Sequence, residues 1–147
     1  MDYSRYFWQG DLVRLRPLHS DDVSSLFEGR LDTPTRQVLQ LGTELPASAD
    51  NIRESVEQYA GCKDVDGTIL FVVENNQEEN VGSISYHSRH RKNGTFSCGV
   101  VIYRPFWRRG YALDATRTLL RYAFDQRNFQ KFNSACISDN EASIALH

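Results

Sequence analysis

The sequence predicts a mixed α/β (α+β) domain with a central, mostly antiparallel sheet flanked by helices. Three observations lead there. An alternating stretch at residues 12–17 is followed by two stretches with helical spacing. Three β-rich segments between residues 68 and 103 are separated by polar turns. A segment without glycine or proline, residues 112–127, then leads to a last β-rich stretch at 131–137. Strands joined by turns make an antiparallel meander, whereas two strands joined through a helix make a crossover. At 147 residues the chain suits one core, and no Pro/Gly/Ser-rich linker divides it, so residues 1–147 are read as a single domain.

Leu12-Val13-Arg14-Leu15-Arg16-Pro17 alternates as a strand does. Ser20-Asp21-Asp22 supplies an N-cap and acidic first-turn residues, and Val23, Leu26, Phe27 and Leu31 follow at helical spacing. Residues 33–46 fit either a short helix or a loop on the substrate side. A second helix is expected from Ser48 or Asp50, with Ile52, Val56 and Tyr59 on one face. The meander follows: strand 68–73, the polar turn 75–80, strand 81–86, the turn 89–94 and strand 95–103. In the helix at 112–127, Leu113, Leu120, Ala123 and Phe124 are expected to form the inner face. Residues 131–137 form one more strand, and Ser138-Asp139-Asn140 offers caps for a helix that has barely begun at His147.

Composition excludes several function classes. Lys and Arg total 17 against 19 Asp and Glu, for a net charge of −2, so the whole chain does not advertise nucleic-acid binding. Positive charge is local, at Arg89-His90-Arg91-Lys92 and at Arg104, Arg108 and Arg109. No apolar run approaches the roughly 18–20 residues of a membrane span, and the N-terminus lacks the features of a signal peptide. A cytoplasmic location without membrane attachment is the expectation. Cys62, Cys98 and Cys136 are odd in number and widely spaced, which gives neither a disulfide framework nor a zinc cluster. The four histidines show no ligand spacing, so no metal is expected.

The chemistry is concentrated between the third meander strand and the following helix. The first amides of a helix have no acceptors inside it and carry a partial positive charge suited to phosphate. Gly110 lets the backbone approach a ligand closely, Ala112 is nearly as small, and Arg108 and Arg109 add charge beside those amides. Residues 108–113 therefore read as an anion site, and this physics does not name the anion. Both common nucleotide fingerprints, the dinucleotide-binding glycine pattern and the P-loop, are absent.

Tyr103-Arg104-Pro105-Phe106-Trp107-Arg108-Arg109-Gly110-Tyr111-Ala112 resembles the acetyl-CoA signature of the GNAT superfamily. It is especially similar to the branch of the ribosomal-protein N-terminal acetyltransferases RimJ and RimL, where the loop commonly reads Trp-x-x-Gly-Tyr-Ala. Asn140-Glu141-Ala142-Ser143 is similar to that branch's Asn-x-x-Ser, and residues 12–22 match its usual first strand and helix start. The resemblance implies a GNAT-like fold and acetyl-CoA as cosubstrate. Amides of Arg108, Arg109, Gly110, Tyr111, Ala112 and Leu113 would hold the pyrophosphate. Val101, Ile102 and Tyr103 would present strand backbone to the pantetheine arm, with one amide polarising the thioester carbonyl. Asn140 would contact the cofactor, and Ser143 would help protonate the leaving thiolate. The partner is an amine acceptor, either a protein N-terminus or a small molecule.

Two departures accompany the resemblance. Relatives carry a glutamate as base two positions before the glycine matching Gly99; here that position is Ser97, which leaves the base unassigned. Relatives also continue with two further strands after the last helix, so the chain is expected to lack its last strands and to be incomplete at the C-terminus. A truncated product, a shortened gene, or completion by a second copy through strand exchange in a homodimer each fits. Acyl-CoA binding without catalysis, or ribosome and RNA association through residues 89–92, are the alternatives to acetyl transfer.

Overall fold

The computed structural model describes residues 1–38 and 45–133. In chain order its elements are β1 (Val13–Pro17), α1 (Val23–Arg30), α2 (Thr33–Val38), α3 (Ala49–Tyr59), β2 (Ile69–Asn75), β3 (Asn80–His90), β4 (Thr95–Ile102), α4 (Tyr111–Arg121) and β5 (Lys131–Asn133). The strands lie in the order β1-β2-β3-β4-β5. Pairing is antiparallel through β4, and β5 joins β4 in parallel after the α4 crossover.

Two-residue alternation divides the apolar side chains between the two faces of the sheet. Val13 and Leu15 of β1, Phe71 and Val73 of β2, Ile84 and Tyr86 of β3, and Phe96 and Ile102 of β4 form one cluster with Ala115, Leu119 and Ala123. Val72 faces the other way and packs with Leu18, Val23, Ile52 and Val56, so α1 and α3 cover the β1–β2 end of the opposite face. The expected inner face of the crossover helix is therefore corrected. Of the expected set, Ala123 is fully buried and Leu120 packs against the core, but Leu113 is 40% and Phe124 36% exposed, and Ala115 and Leu119 are the buried residues instead. The helix also changes its winding after Arg121, continuing through Tyr122–Gln126 as one π turn. Periodicity alone could not place that change.

Other elements follow the local chemistry. His19 caps a 3-10 turn at Ser20–Asp22, accepting from the Asp21 amide, and α1 starts directly behind it at Val23. Ser48 caps α3 by accepting from the Asn51 amide, and Asn51 answers to the Ser48 backbone. Of the ambiguous stretch 33–46, Thr33–Val38 is helical. The third strand runs to His90, four residues past its expected end at 86, because β4 pairs with it up to His90 across an irregularity at Ser88. Of the strand expected at 131–137, Lys131–Asn133 is described, and the remainder lies outside the described residues.

One carboxylate ties the crossover helix to the first strand. Asp114, in the first turn of α4, accepts from the amides of Asp11 at 3.1 Å, Leu12 at 2.8 Å and Val13 at 2.9 Å. Gly10 completes the approach, since a Cβ there would stand 2.4 Å from Asp114 Oδ2. An acid in a first turn also complements the positive end of the helix. Buried charge-assisted hydrogen bonds of this kind are costly to break, so Asp114→Ala should destabilise the fold by roughly 2–4 kcal/mol. Urea denaturation followed by circular dichroism measures this, and a loss of under about 0.5 kcal/mol would mean that the clamp contributes little.

Candidate active site

β4 carries the chain to one end of the sheet, and the segment 103–110 turns it into α4. The turn holds itself together. The Phe106 amide donates to Tyr103 O at 2.9 Å, the Trp107 amide to Arg104 O at 3.2 Å, and the Trp107 indole to Ile102 O at 2.6 Å. Arg108 and Gly110 both adopt left-handed backbone, with φ of 61° and 81°. At Gly110 a Cβ would also meet Leu12 Cδ1 at 3.1 Å, so the turn requires glycine there. The first amide satisfied at the helix start is that of Asp114, which donates to Gly110 O at 3.1 Å. Among the described residues, the amides of Arg108 to Leu113 make no backbone hydrogen bond outside the helix ladder. Arg108 and Arg109 are exposed beside them. Unpartnered helix-start amides beside exposed arginines have the polarity that suits an anion such as a phosphate.

A second feature lies alongside. β5 pairs with β4 only at Thr95, Phe96 and Ser97. Beyond Ser97, β4 has a partner strand on the β3 side alone among the described residues. The Tyr103 amide donates to Val81 O at 2.9 Å, so its backbone points to β3. Alternation then turns Val101 toward β3 as well and leaves Val100 and Ile102 on the open side. This narrows the expected set. Of Val101, Ile102 and Tyr103, only Ile102 turns its N–H to the open edge, and its carbonyl is already taken by Trp107. Val100 joins it, a residue that sequence reasoning missed because spacing cannot tell which amides of a strand face outward.

On the face opposite α4, a cleft of about 520 Å3 opens between α1–α2 and the end of β4. Its walls include Leu26 and Gly29 on one side and Ser83, Val101 and Tyr103 on the other. Gly29 makes room for the Tyr103 ring, which a Cβ would approach to 2.8 Å. The Tyr103 hydroxyl is buried without a hydrogen-bond partner. Burial, helped by the negative Asp22, pushes it up to about 12, so it stays protonated at neutral pH. Arg104 does not point to the helix-start amides. It forms a two-pronged ion pair with Asp32, at 2.9 and 2.7 Å, and also donates to Thr35 Oγ1 at 2.9 Å. Cys98 lies on the α4 face, where burial pushes its thiol up to about 12 and removes it as a nucleophile.

The remaining sequence expectations can be placed. Tyr111 and Ala112 are half-buried against the core, while Arg109, besides its exposure, donates to Pro105 O at 3.3 Å. Asn140 and Ser143 lie outside the described residues. Trp8 packs on Phe71 and Tyr122, in the core rather than in the cleft. Arg89, in the basic 89–92 run, is committed to Asp64 at 2.5 Å and to Gly67 O at 3.1 Å. Sequence reading missed the Asp32–Arg104–Thr35 group. Its members are separated by 72 residues and 69 residues, and no local pattern joins them.

Comparison with known proteins places this arrangement. The profile described as "Acetyltransferase (GNAT) domain" matches residues 13–147. The SPbeta prophage-derived uncharacterized N-acetyltransferase YokL of Bacillus subtilis is 31% identical over 96% of this chain and 76% of its own length. The uncharacterized N-acetyltransferase YoaA of the same organism is 24% identical, over 92% of this chain and 76% of its own. Among solved structures, a GNAT-family acetyltransferase from Bacillus anthracis superimposes with a TM-score of 0.78 at 20% identity, covering 94% of this chain and 78% of the other. RimL, a ribosomal L7/L12 alpha-N-protein acetyltransferase solved in complex with coenzyme A, gives 0.72 at 18% identity, covering 92% and 77%.

The Asp32–Arg104 pair generates a prediction. Hydrogen bonds from Arg104, then from Thr35, hold the Asp32 carboxyl at about 2, below its ordinary 3.8. A depressed carboxyl contributes stability above its ordinary value and loses it as pH falls through the lowered one. In Arg104→Ala, the Asp32 midpoint should rise from about 2 toward 3.8, with the Thr35 hydrogen bonds still holding it below, as carboxyl carbon NMR would read. An unchanged midpoint would show that Arg104 is not the cause.

Proposed function

The chain belongs to the GNAT acetyltransferase family and is an N-acetyltransferase, and from that premise we propose that it transfers an acetyl group from acetyl-CoA to a primary amine bound in the cleft between α1–α2 and β4. The acceptor is a protein N-terminus or a small amine, and the branch is that of RimJ and RimL. The Trp107–Ala112 signature supports that branch, as does the fold shared with RimL. The observation that carries the reading is the meeting of three features at one end of β4: the amides at 108–113 with two exposed arginines, the strand edge that has no partner among the described residues, and the cleft.

Acetyl-CoA supplies an acyl group already activated as a thioester. The chain supplies position and polarity. Amides 108–113, with Arg108 and Arg109, fit the pyrophosphate. The open-side groups of Val100 and Ile102 fit an extended arm laid along the edge as an added strand, and their two N–H groups are the donors available to a carbonyl oxygen there. Ser143 and Asn140, in the positions that match the family's motif, complete the proposed set as proton donor to the leaving thiolate and cofactor contact. With Cys98 protonated and buried, direct attack by the amine fits better than an acetylated cysteine.

Isothermal titration with acetyl-CoA tests the cradle. The parent chain should bind, and Arg108→Glu with Arg109→Glu should weaken binding at least about tenfold, because both side chains are exposed and charge reversal meets a phosphate. A folded parent that binds no acetyl-CoA overturns the reading. Binding equal in both proteins removes the arginines from it.

A further inference from the structure

An amine that is an ammonium ion at neutral pH must lose a proton before it can attack; of the groups in the cleft, Asp32 and Tyr103 are unsuited to take it, and Glu28 stands on the wall exposed to solvent. Asp32 is held at about 2 by Arg104 and is too weak a base. Tyr103, at about 12, is not deprotonated. Ser97, outside the cleft at the position where relatives carry a glutamate, is a hydroxyl. The sheet itself leads to another group. Ser83 and Val101 pair across β3 and β4 and line the cleft. On that same face the next cross-strand pairs are Ser85 with Gly99 and His87 with Ser97. The floor running from the cleft thus consists of small side chains and ends at an imidazole.

We propose that His87 is the base that accepts the acceptor amine's proton, an inference that rests on the acetyl-transfer reading. Three features of its placement argue for it. The register of β3 breaks between His87 and His90, and Ser88 has φ of 51°, an irregularity of the kind that re-aims a neighbouring side chain. Ser88 Oγ lies 2.9 Å from His87 Nδ1; in the tautomer that donates Nδ1–H to it, Nε2 carries the lone pair. Nε2 in turn stands 3.9 Å from where a Gly99 Cβ would be, and the absent side chain leaves the space before it open. Gly99 is two residues, about 7 Å along the strand, from Val101 in the cleft, a gap that a chain of about two waters spans.

The surroundings keep the imidazole neutral. Burial lowers His87 below its ordinary 6.5. From β4 it faces Ser97 and Gly99, from β3 Ser85 and Ser88, and Thr68, just before β2, lines the same cavity, none of them charged. His87 itself lines a second cavity, whose charged groups are Asp64, neutralised by Arg89, and Asp66, Arg91 and Arg127, with His90 titratable beside them. The proton balance closes. The ammonium gives one proton through water to Nε2, and the imidazolium passes it to solvent. As the C–N bond forms and the C–S bond breaks, the second amine proton goes to the departing thiolate, giving acetamide and free thiol.

The test uses the full chain, acetyl-CoA, and two amine probes: glycinamide and a hexapeptide with a free N-terminus. His87→Gln should lower kcat/KM about 100-fold or more while acetyl-CoA binding by titration stays at the parent level. The acidic limb of the parent's pH profile, with its midpoint below 6.5, should vanish in the variant, and imidazole in the buffer should restore part of the activity of His87→Ala. Parent-like turnover in His87→Gln overturns the proposal. So does a loss with the acidic limb intact and no imidazole rescue, which marks a structural role. Should neither probe turn over, NMR titration of the His87 ring decides: a midpoint at or above 6.5 overturns the proposal, and one below it supports a free base. Failure of the parent to bind acetyl-CoA sinks instead the acetyl-transfer reading.

Discussion

The site depends on where the N-terminus of α4 sits, and one buried carboxylate settles that. Asp114 gathers three consecutive amides of the turn entering β1, across more than 100 residues of chain. The helix is thereby fixed at both its first turn and its buried stripe of Ala115, Leu119 and Ala123. Its unpaired amides consequently face a defined place beyond the end of β4. Gly110, left-handed and packed against Leu12, is part of the same junction. A phosphate cradle of this kind works only if its amides are held before the ligand arrives, because ordering them on binding would cost affinity.

The sheet divides the remaining work by face and by edge. Its α4 face is apolar and closed, with Tyr86, Phe96, Phe129 and Phe132 packed against one another in tilted or edge-to-face contacts. The opposite face is apolar only under α1 and α3 and becomes polar along Ser83, Ser85, His87, Ser97 and Gly99. Among the described residues, β4 has no partner strand on this side beyond Ser97, and its edge there has hydrogen-bonding groups to offer. Sheet proteins ordinarily cover such an edge. Here it lies between the helix amides and the cleft, which is where an extended ligand arm would be paired.

Much of this was legible in the sequence, for local reasons. The alternation at 12–17, the β-rich runs between polar turns, and the gap-free helix segment each report a backbone periodicity, and each element formed where its pattern lay. Ser48 and the 108–112 stretch were legible because caps and left-handed turns depend on a few adjacent residues. The misreadings have a common origin. Leu113 and Phe124 fit the helical pattern as well as Ala115 and Leu119 do, but the sheet meets the helix on the alanine stripe. Val100 was passed over for Val101 because spacing does not say which side of a strand its neighbour occupies.

By itself, then, the sequence determined the order of the elements, the segment able to cradle an anion, and the absence of a carboxylate at position 97. Those properties reside in consecutive residues, where dihedral preference and side-chain chemistry act at short range. Tertiary structure alone decided that Asp114 would clamp residues 11–13, that Arg104 would serve Asp32 rather than a phosphate, and that His87 would stand beside Gly99. Each of these pairings joins distant positions through strand register or helix docking. Register and docking are set by burial of the whole core, which no local window contains.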